Sequence, residues 1–122
     1  MSVASEIAKR FGNRQCVECV TALVSKLPGP VLEIDVTSLI SYKRADMVHA
    51  TLVMSESISR TGRHFGFLHD GKVYDNLHHE GVLESEWISN FLFFNKVTGR
   101  ECAVAAANVH RLTATQFLQR QK

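Results

Sequence analysis

The dipeptide Asp70-Gly71 constrains the fold of this chain more than any other short segment. It separates two runs that are typical of β-strands, His64–Leu68 and Lys72–Asp75. An Asp-Gly pair favours the tight type I′ turn between antiparallel strands, so the two runs are predicted to form a β-hairpin. Counting outward from the turn places His64 and Asp75 near the open end of that hairpin. The sequence therefore predicts an antiparallel sheet with a histidine and a carboxylate close together at one end.

An amphipathic helix is predicted ahead of the sheet, over roughly residues 14–27. Apolar side chains recur there at spacings of three and four, which places one face of the helix against a core. These side chains are Cys16, Cys19, Val20, Leu23, Val24 and Leu27. Pro28-Gly29-Pro30 ends the helix. Asn13 is expected to be the N-cap, because its side-chain oxygen can accept from the free amides of the first turn, and this puts Cys16 in that turn.

The rest of the chain gives a predicted order of elements. The predicted helical segments are residues 5–11, 83–94 and 113–121, and the further predicted strands are residues 31–36 and 47–54. Polar loops are expected at residues 55–63 and 76–81, residues 37–46 have no clear pattern, and residues 102–109 fit either strand or helix. This order predicts an α+β fold in which an N-terminal helix packs on an antiparallel sheet with C-terminal helical cover.

Length and composition limit the class of protein. A chain of 122 residues is expected to form one domain spanning residues 1–122. Its 14 basic and 12 acidic residues give a net charge of +2, too weak a bias to indicate nucleic acid or an anionic membrane as the main partner. No apolar run approaches the roughly 20 residues of a membrane span, and the N-terminus lacks the pattern of a secretory signal. No metal or other cofactor is expected.

The three cysteines point to free thiols rather than disulfides. Cys16, Cys19 and Cys102 are an odd number, and the first two lie one helical turn apart, which is typical of a reducing compartment. Cys16 is the better nucleophile, because amide dipoles at a helix start lower the pKa of a thiol. Unpaired amides of that turn can stabilise an oxyanion, and Gln15 and Asn13 are candidates to support it. The Cys19 thiol is expected to be buried and to pack in the core. The plainer interpretation is that both thiols belong to the core.

Two other interpretations of Cys16-x-x-Cys19 have to be weighed. A redox pair of the thioredoxin type would follow a β-strand, whereas residues 10–15 are polar and unlike a strand. A structural zinc site needs four tetrahedral ligands, which His78 and His79 would have to complete. Adjacent histidines normally point apart, and the chain has no second Cys-x-x-Cys. Both interpretations are therefore disfavoured.

His64 and Asp75 are candidates for a general base and the acid that orients it. Such a base must reach the thiol and be held in one tautomer by a third group. Asn76, the neighbour of Asp75, is a candidate for the same orienting part. The alternative interpretation is that His64 is a solvated strand-end residue and Asp75 an ordinary turn residue.

Three segments together resemble the papain-fold toxin domains found at the C-termini of bacterial polymorphic toxins. The segments are Gly12-Asn13-x-x-Cys16-Val17-Glu18-Cys19, then Thr61-Gly62-Arg63-His64-x-Gly66, then Val73-Tyr74-Asp75-Asn76-Leu77-His78-x-x-Gly81 with Trp87 after it. The similarity spans roughly residues 11–94, taken as the core of the domain. It implies a papain-like cysteine hydrolase with Cys16 as nucleophile, His64 as base and Asp75 as orienting acid.

The resemblance also implies a biological setting. Such a domain is secreted or delivered as part of a larger toxin and acts on a protein in the cytoplasm of the target cell. The producing cell is expected to make a cognate immunity protein. The chain departs from the family pattern at Val20, where related domains often have alanine, and after Asn95, where nothing matches.

Papain-like chemistry leaves the reaction open among three types. Peptidases, deamidases of glutamine or asparagine, and transamidases all pass through the same thioester. A domain of 122 residues has little material for an extended cleft, which slightly favours deamidation over proteolysis. The alternative function, from another class, is a non-catalytic binding module with a papain-like fold.

Four further residues are expected to contact a substrate or a partner. Arg60 and Arg63 lie in the polar loop that would flank the site, and arginine pairs bidentately with carboxylates. An acidic patch of the immunity protein is therefore expected to contact them. His78 is a candidate to line the cleft, although two surface histidines are the more ordinary interpretation of His78-His79. Trp87 is a candidate for part of the cleft wall, although packing of the second helix on the sheet is the more ordinary role for that side chain.

Overall fold

The computed structural model describes residues 2–41, 47–49 and 57–121. In these ranges its α-helices are α1 (Val3–Ala8), α2 (Cys16–Val24), α3 (Glu84–Ser89) and α4 (Ala114–Arg120). Its strands are β1 (Val31–Asp35), β2 (Met47–His49), β3 (Ser57–Ser59), β4 (Arg63–His69), β5 (Lys72–Tyr74), β6 (Phe91–Asn95), β7 (Arg100–Ala103) and β8 (Val109–Leu112). Short 3₁₀ helices cover Thr37–Leu39 and Ala106–Asn108. The fold class is α+β, as predicted.

The strands of the described residues form two antiparallel sheets. The first has the order β5-β4-β1-β8 and the second the order β3-β2-β6-β7. The predicted hairpin is confirmed, since His69 pairs with Lys72 across Asp70 and Gly71, which have φ angles of 54° and 79°. Positive φ at both central residues defines a type I′ turn. This turn sets the register of β4 against β5 and so places His64 and Asp75 at the same end.

The first sheet is covered on both faces, and each face has its own apolar core. The first core joins the sheet to α1, α2 and α4, and its largest buried side chains include Leu23, Phe67 and Phe117. The second core joins the sheet to α3 and the second sheet, and includes Trp87, Phe91 and Phe93. Successive side chains of a strand point to opposite faces. Phe65 and Phe67 of β4 therefore enter the first core, whereas His64 faces the second.

The predicted start of the main helix requires a correction. Asn13 is not the N-cap, because Arg14 has a left-handed backbone with φ of 67° and the helix begins only at Cys16. Gln15 occupies the N-cap position without a side-chain capping bond, and its amide oxygen accepts from Gly12 N–H at 2.7 Å. The side chain of Asn13 instead donates to the carbonyl of Ser57 at 3.0 Å. It thereby ties the loop before α2 to β3.

The second predicted amphipathic helix, residues 83–94, is only half right. Helix α3 ends at Ser89, and Phe91–Asn95 is strand β6 of the second sheet, paired with both β2 and β7. An apolar run satisfies a helical spacing and a strand spacing equally over a few residues. Here pairing with two neighbouring strands decides the structure, and Phe91 and Phe93 are buried on one face.

The C-terminal segment contains strands as well as a helix. Residues 102–109 cover the end of β7, a 3₁₀ turn and the first residue of β8, so neither a single strand nor an α-helix spans this segment. The predicted C-terminal helix is confirmed as α4, which begins with a capping box formed by Thr113 and Gln116. Buried Ala8, Leu112 and Phe117 extend the packed core beyond the expected residues 11–94.

Some predictions reach only partly into the described chain. Of the predicted strand at residues 47–54, Met47–His49 is observed and residues 50–54 lie outside the described ranges. The predicted polar loop at residues 55–63 contains β3 and the start of β4, while residues 55 and 56 lie outside those ranges. None of the helices in the described ranges has the length and apolar character that crossing a membrane requires.

Candidate active site

Cys16 is the first residue of helix α2 and is partly exposed. The first backbone hydrogen bond of the helix joins Cys19 N–H to the carbonyl of Gln15 at 2.9 Å. The amides of the first turn, from Cys16 to Glu18, therefore have no acceptor within the helix. Cys19 is fully buried, and its burial raises the pKa of its thiol to about 12. Of the two thiols, only Cys16 has the position of a nucleophile.

His64 lies on strand β4 and its side chain is fully buried. Its Nε2 atom lies 2.8 Å from Oδ2 of Asp75. The ring packs against Phe91 with the ring centroids 4.8 Å apart. Its other nitrogen, Nδ1, makes no hydrogen bond within the described residues. That leaves Nδ1 as the atom through which His64 can exchange a proton with a reacting group.

Asp75 follows strand β5 directly and is fully buried. Its Oδ2 accepts from His64 Nε2 at 2.8 Å and from Trp87 Nε1 at 2.7 Å. Its Oδ1 accepts from the amides of Leu77 at 2.9 Å and His78 at 2.7 Å, and from His78 Nδ1 at 2.8 Å. Five donors around one buried carboxylate hold it in its ionised form.

The three groups shift one another's pKa in the directions that an ion pair requires. Burial acts to raise the pKa of Cys16, but His64 and the backbone amide of Phe65 outweigh it and the pKa is lowered. Burial acts to lower the pKa of His64, but Asp75 and Cys16 raise it to about 10. Burial acts to raise the pKa of Asp75, but hydrogen bonds from His64 and His78 hold it well below its usual range. All three shifts run in the directions that favour a thiolate, an imidazolium and a carboxylate held together.

Antiparallel pairing explains how the amide of Phe65 reaches the thiol. In an antiparallel pair, every second residue of a strand forms hydrogen bonds with the neighbouring strand. At the two ends of the β1–β4 pair, Val36 N–H donates to Gly62 O and Leu68 N–H donates to Pro30 O. The even-numbered residues of β4 are therefore the ones that bond to β1. The amide of Phe65 then points away from β1, at a level that β5 does not reach. Cys16 lies close enough to the ring of His64 and to this amide for both to lower the pKa of its thiol, while Nδ1 of His64 makes no hydrogen bond within the described residues.

Two predicted cleft residues have a different place in the structure. Trp87 is not part of a cleft wall, because it is fully buried in the second core and donates to Asp75. His78 does not line the cleft either, since its Nδ1 donates to Asp75 while its Nε2 lies 3.1 Å from the Asn90 side-chain nitrogen. Both ring nitrogens of His78 therefore have partners away from the cleft. Both side chains fix the acid rather than meet a substrate.

Asn76 does not take the orienting part considered for it. Its side chain is buried and donates to the carbonyl of Gly12 at 2.7 Å rather than to His64. His79 Nε2 lies 3.0 Å from the carbonyl of Phe11 and 2.6 Å from that of Asn76. The loop after Asp75 therefore binds the loop that leads to Cys16. This contact connects the two halves of the site.

The zinc interpretation is not supported by this arrangement. His78 and His79 are bound to Asp75 and to backbone carbonyls, as just described. Across residues 2–41, 47–49 and 57–121, no three His, Cys, Asp or Glu side chains are grouped as metal ligands. The redox interpretation also fails, because the segment before Cys16 is a loop and not a strand.

A cleft of about 660 Å³ opens beside Cys16. Its walls come from the start of α2, from β1, from the segment between β3 and β4, and from the end of α4. The charged lining residues are Arg14, Glu33, Asp35, Arg60, Arg63 and Arg120. Arg60 and Arg63 thus lie where a substrate or partner contact was expected. Gln15 and Asn13, the candidates for oxyanion support, are not among the residues that line the cleft.

Glu33 and Arg120 are cleft residues that the sequence analysis missed. Glu33 is buried in β1, and both of its carboxylate oxygens accept from Arg120 of helix α4. A signal for Glu33 was present, because a carboxylate in the middle of an apolar strand needs a cationic partner when it is buried. No sequence signal connects it with Arg120, which is 87 positions away.

The helix-start cysteine, the strand histidine and the carboxylate after the next strand form the arrangement of a cysteine-dependent acyl-transfer centre. The sequence model of the family described as papain fold toxin 2 matches residues 2–92. The chain therefore belongs to the papain fold toxin 2 family, which confirms the resemblance drawn from the motifs. No curated protein sequence and no solved structure matches the chain.

Proposed function

We propose that the chain is a toxin domain that hydrolyses amides of a target-cell protein through Cys16. The observation that supports this most is the contact between His64 and fully buried Asp75 beside a helix-start thiol of lowered pKa. Structural ion pairs also shift pKa values, but such a pair does not require a partly exposed thiol at the edge of a cleft.

The proposed reaction uses the groups in two steps. The Cys16 thiolate attacks the amide carbonyl carbon, and the oxyanion lies near the free amides at the start of α2. His64 donates its Nδ1 proton to the leaving nitrogen, the C–N bond breaks, and a thioester remains. Water then attacks the thioester, gives a proton to Nδ1, and the C–S bond breaks to release a carboxylic acid and the thiolate. Asp75 stays ionised throughout and stabilises the imidazolium.

Deamidation of glutamine or asparagine is the form of this reaction that we favour. A cleft of about 660 Å³ is of the size that takes one side chain with its immediate surroundings. A peptidase would bind several residues on each side of the bond, and a transamidase would bind a second amine.

The test is expression in bacteria of the wild type beside Cys16→Ala, followed by mass spectrometry of the whole proteome. A mass gain of about one dalton on a target glutamine or asparagine would identify a deamidase, new termini a peptidase, and amine adducts a transamidase. Cys102→Ala is the matched control, because Cys102 does not line the cleft and should leave the modification unchanged. An unmodified proteome in a strain poisoned equally by wild type and Cys16→Ala would favour the binding module instead.

We further propose that the domain is delivered into the target cell as part of a larger toxin and that an immunity protein covers its cleft in the producing cell. His64 and Asp75 are fully buried, so an inhibitor can block the site most directly at Cys16 and the cleft mouth. Arg60 and Arg63 line the cleft and suit an acidic partner surface. The loop at residues 76–81 does not line it and is not proposed as a contact.

Binding of the immunity protein to Arg60→Glu and Arg63→Glu variants tests this partner surface. Weaker binding of either variant, with an unchanged fold by circular dichroism, is the expected result. Equal affinity of wild type and both variants would place the inhibitor away from the cleft.

A further inference from the structure

The described walls of the cleft beside Cys16 carry more positive than negative charge. Four arginines line it against two carboxylates. The side chains of Arg63 and Arg120 are 49% and 50% exposed, whereas that of Glu33 is 2% exposed. Asp35 is intermediate, with 23% of its side chain exposed. A molecule entering the cleft therefore meets guanidinium groups first and the carboxylates behind them.

Glu33 and Asp35 contact only part of each of these guanidinium groups. Arg63 Nε lies 3.5 Å from Asp35 Oδ2 and 4.0 Å from Glu33 Oε2. Arg120 contacts both oxygens of Glu33 through Nη1 alone. Within the described residues, these contacts leave both terminal nitrogens of Arg63, and Nε and Nη2 of Arg120, without an ion-pair partner. A guanidinium held in this way can still form parallel hydrogen bonds with a second carboxylate.

Packing of helix α4 fixes the position of Arg120. Phe117 of the same helix is fully buried and meets Phe65 edge to face, with ring centroids 5.2 Å apart. Phe65 and Cys16 line the same cleft. Helix α4 also lies outside the residues 2–92 that the family model matches. This chain thus adds a cationic wall to the site from a segment that the family pattern does not include.

We propose that Arg63 and Arg120 form a carboxylate-binding subsite next to Cys16, so that the substrate is an acidic protein segment with Asp or Glu beside the reacting amide. This inference rests on the proposed function, because it takes Cys16 as the reacting group. It goes further in naming the chemical class of the substrate. The carboxylate of the substrate replaces cleft water at the two guanidinium groups and holds the neighbouring amide at the thiol.

The test compares two alkylating reagents of similar size at Cys16, the anionic iodoacetate and the neutral iodoacetamide. Mass spectrometry follows each reaction at Cys16 and at Cys102 in the same sample. The ratio of the iodoacetate rate to the iodoacetamide rate cancels the thiolate fraction and reports the local charge. His64 is present in every variant, so its charge cancels when the ratio at Cys16 is compared between variants. We expect a higher ratio at Cys16 than at Cys102, falling with added salt.

The variants Arg63→Gln and Arg120→Gln should each lower that ratio by roughly threefold or more, the size expected for one charge near a protein surface. Arg100→Gln is the matched control, because β7 lies at the edge of the second sheet farthest from β3 and Arg100 does not line the cleft. Arg63 has a half-exposed side chain, so its variant keeps the test valid if loss of Arg120 unfolds the domain.

Three outcomes separate the inference from the proposed function. Ratios that fall in both cleft variants and stay constant in Arg100→Gln support the subsite. Rapid alkylation of Cys16 with a ratio that neither cleft variant changes overturns the subsite and leaves the proposed function standing. Alkylation of Cys16 no faster than that of Cys102 with both reagents overturns both.

Discussion

Asp75 is a fully buried carboxylate whose two oxygens accept five hydrogen bonds. Trp87 and His78 bind its two oxygens from opposite sides, and two backbone amides complete the set. His78 is held in turn by Asn90. Such a carboxylate cannot rotate or accept a proton without breaking several hydrogen bonds, so it keeps Nε2 of His64 as a donor. The donors that hold Asp75 in place therefore also determine the tautomer of His64.

Replacing Asp75 by asparagine should disable the site more thoroughly than its small change in shape suggests. The three donors around Oδ1 require the amide oxygen on that side, which turns the new NH₂ group toward His64 Nε2. His64 must then accept at Nε2 and carry its proton on Nδ1, so the neutral ring cannot take a proton from Cys16. We predict that alkylation of Cys16 near pH 6 becomes at least about tenfold slower, since each pKa unit is a factor of ten.

NMR of the ring nitrogens of His64 gives an independent check on the Asp75→Asn variant. Glu80→Gln makes the same chemical change on an exposed residue of the neighbouring loop and should behave as the wild type. Wild-type alkylation rates in Asp75→Asn, with Nε2 still protonated, would show that the carboxylate does not control the histidine.

The sequence was enough to predict that Cys16, His64 and Asp75 come together, as they do in the structure, but not what surrounds them. Cys16 was marked by a helix start, and His64 and Asp75 by the two sides of one Asp-Gly turn, which are local signals. Trp87 and His78 donate to Asp75 because packing around the second core brings them to it. In the sequence, a side chain that donates to a buried acid cannot be told from one that lines a cleft. Asn13 was misplaced because the left-handed backbone of Arg14 has no sequence signal.

Helix α4 contributes both to the first core and to the wall of the cleft beside Cys16. It closes the first core with Phe117 and carries Arg120 to the buried carboxylate of Glu33. Its capping box at Thr113 and Gln116 made it predictable as a helix. Its partner was not predictable, because contacts between distant segments depend on how the sheet is assembled. The error at residues 90–94 has the same origin, since β6 exists only because β2 and β7 pair with it.

Two substitutions in α4 should differ sharply in their effect on stability. Phe117→Ala removes a fully buried ring from the first core and should lower the free energy of unfolding by about 3–5 kcal/mol. Leu118→Ala, at a side chain that is 40% exposed, should cost about 0.5 kcal/mol or less. Urea denaturation measures both. Similar losses for the two variants would mean that α4 is not docked through Phe117.

At the scale of the whole molecule, the site lies at the junction of the two cores. Cys16 approaches from the helical face of the first sheet, while the ring of His64 is embedded on the opposite face against Phe91. The fold therefore buries two charged groups of the site and leaves the nucleophile at the surface. Protonation of the site and stability of the fold are linked as a result.

This linkage predicts that Cys16→Ala changes the pH dependence of stability between pH 6.5 and 9.0, the ordinary pKa values of histidine and cysteine. The raised pKa of His64 contributes stability below pH 6.5 that is lost as pH rises toward about 10. The lowered pKa of Cys16 works in the opposite direction, contributing stability that grows as pH rises toward 9.0. The two contributions oppose each other in the wild type, whereas Cys16→Ala loses the second and keeps only the part of the first that comes from Asp75.

Cys16→Ala should therefore lose stability with rising pH more steeply than the wild type across this window, by at most about 1.4 kcal/mol per pH unit. Urea denaturation at several pH values measures the two slopes. Cys102→Ala, which leaves the site intact, should follow the wild type. Parallel curves for wild type and Cys16→Ala would mean that the thiol and the histidine do not share a proton in the folded protein.

The most direct measurement of the central claim is the rate of iodoacetamide labelling of Cys16 as a function of pH, in the wild type and in His64→Ala. A thiolate–imidazolium pair predicts rapid labelling well below the ordinary thiol pKa of 9.0 in the wild type. In His64→Ala the thiol keeps its burial but loses its cationic neighbour, so its labelling curve should move to higher pH than that of an ordinary thiol. A wild-type curve that coincides with that of His64→Ala would contradict the account.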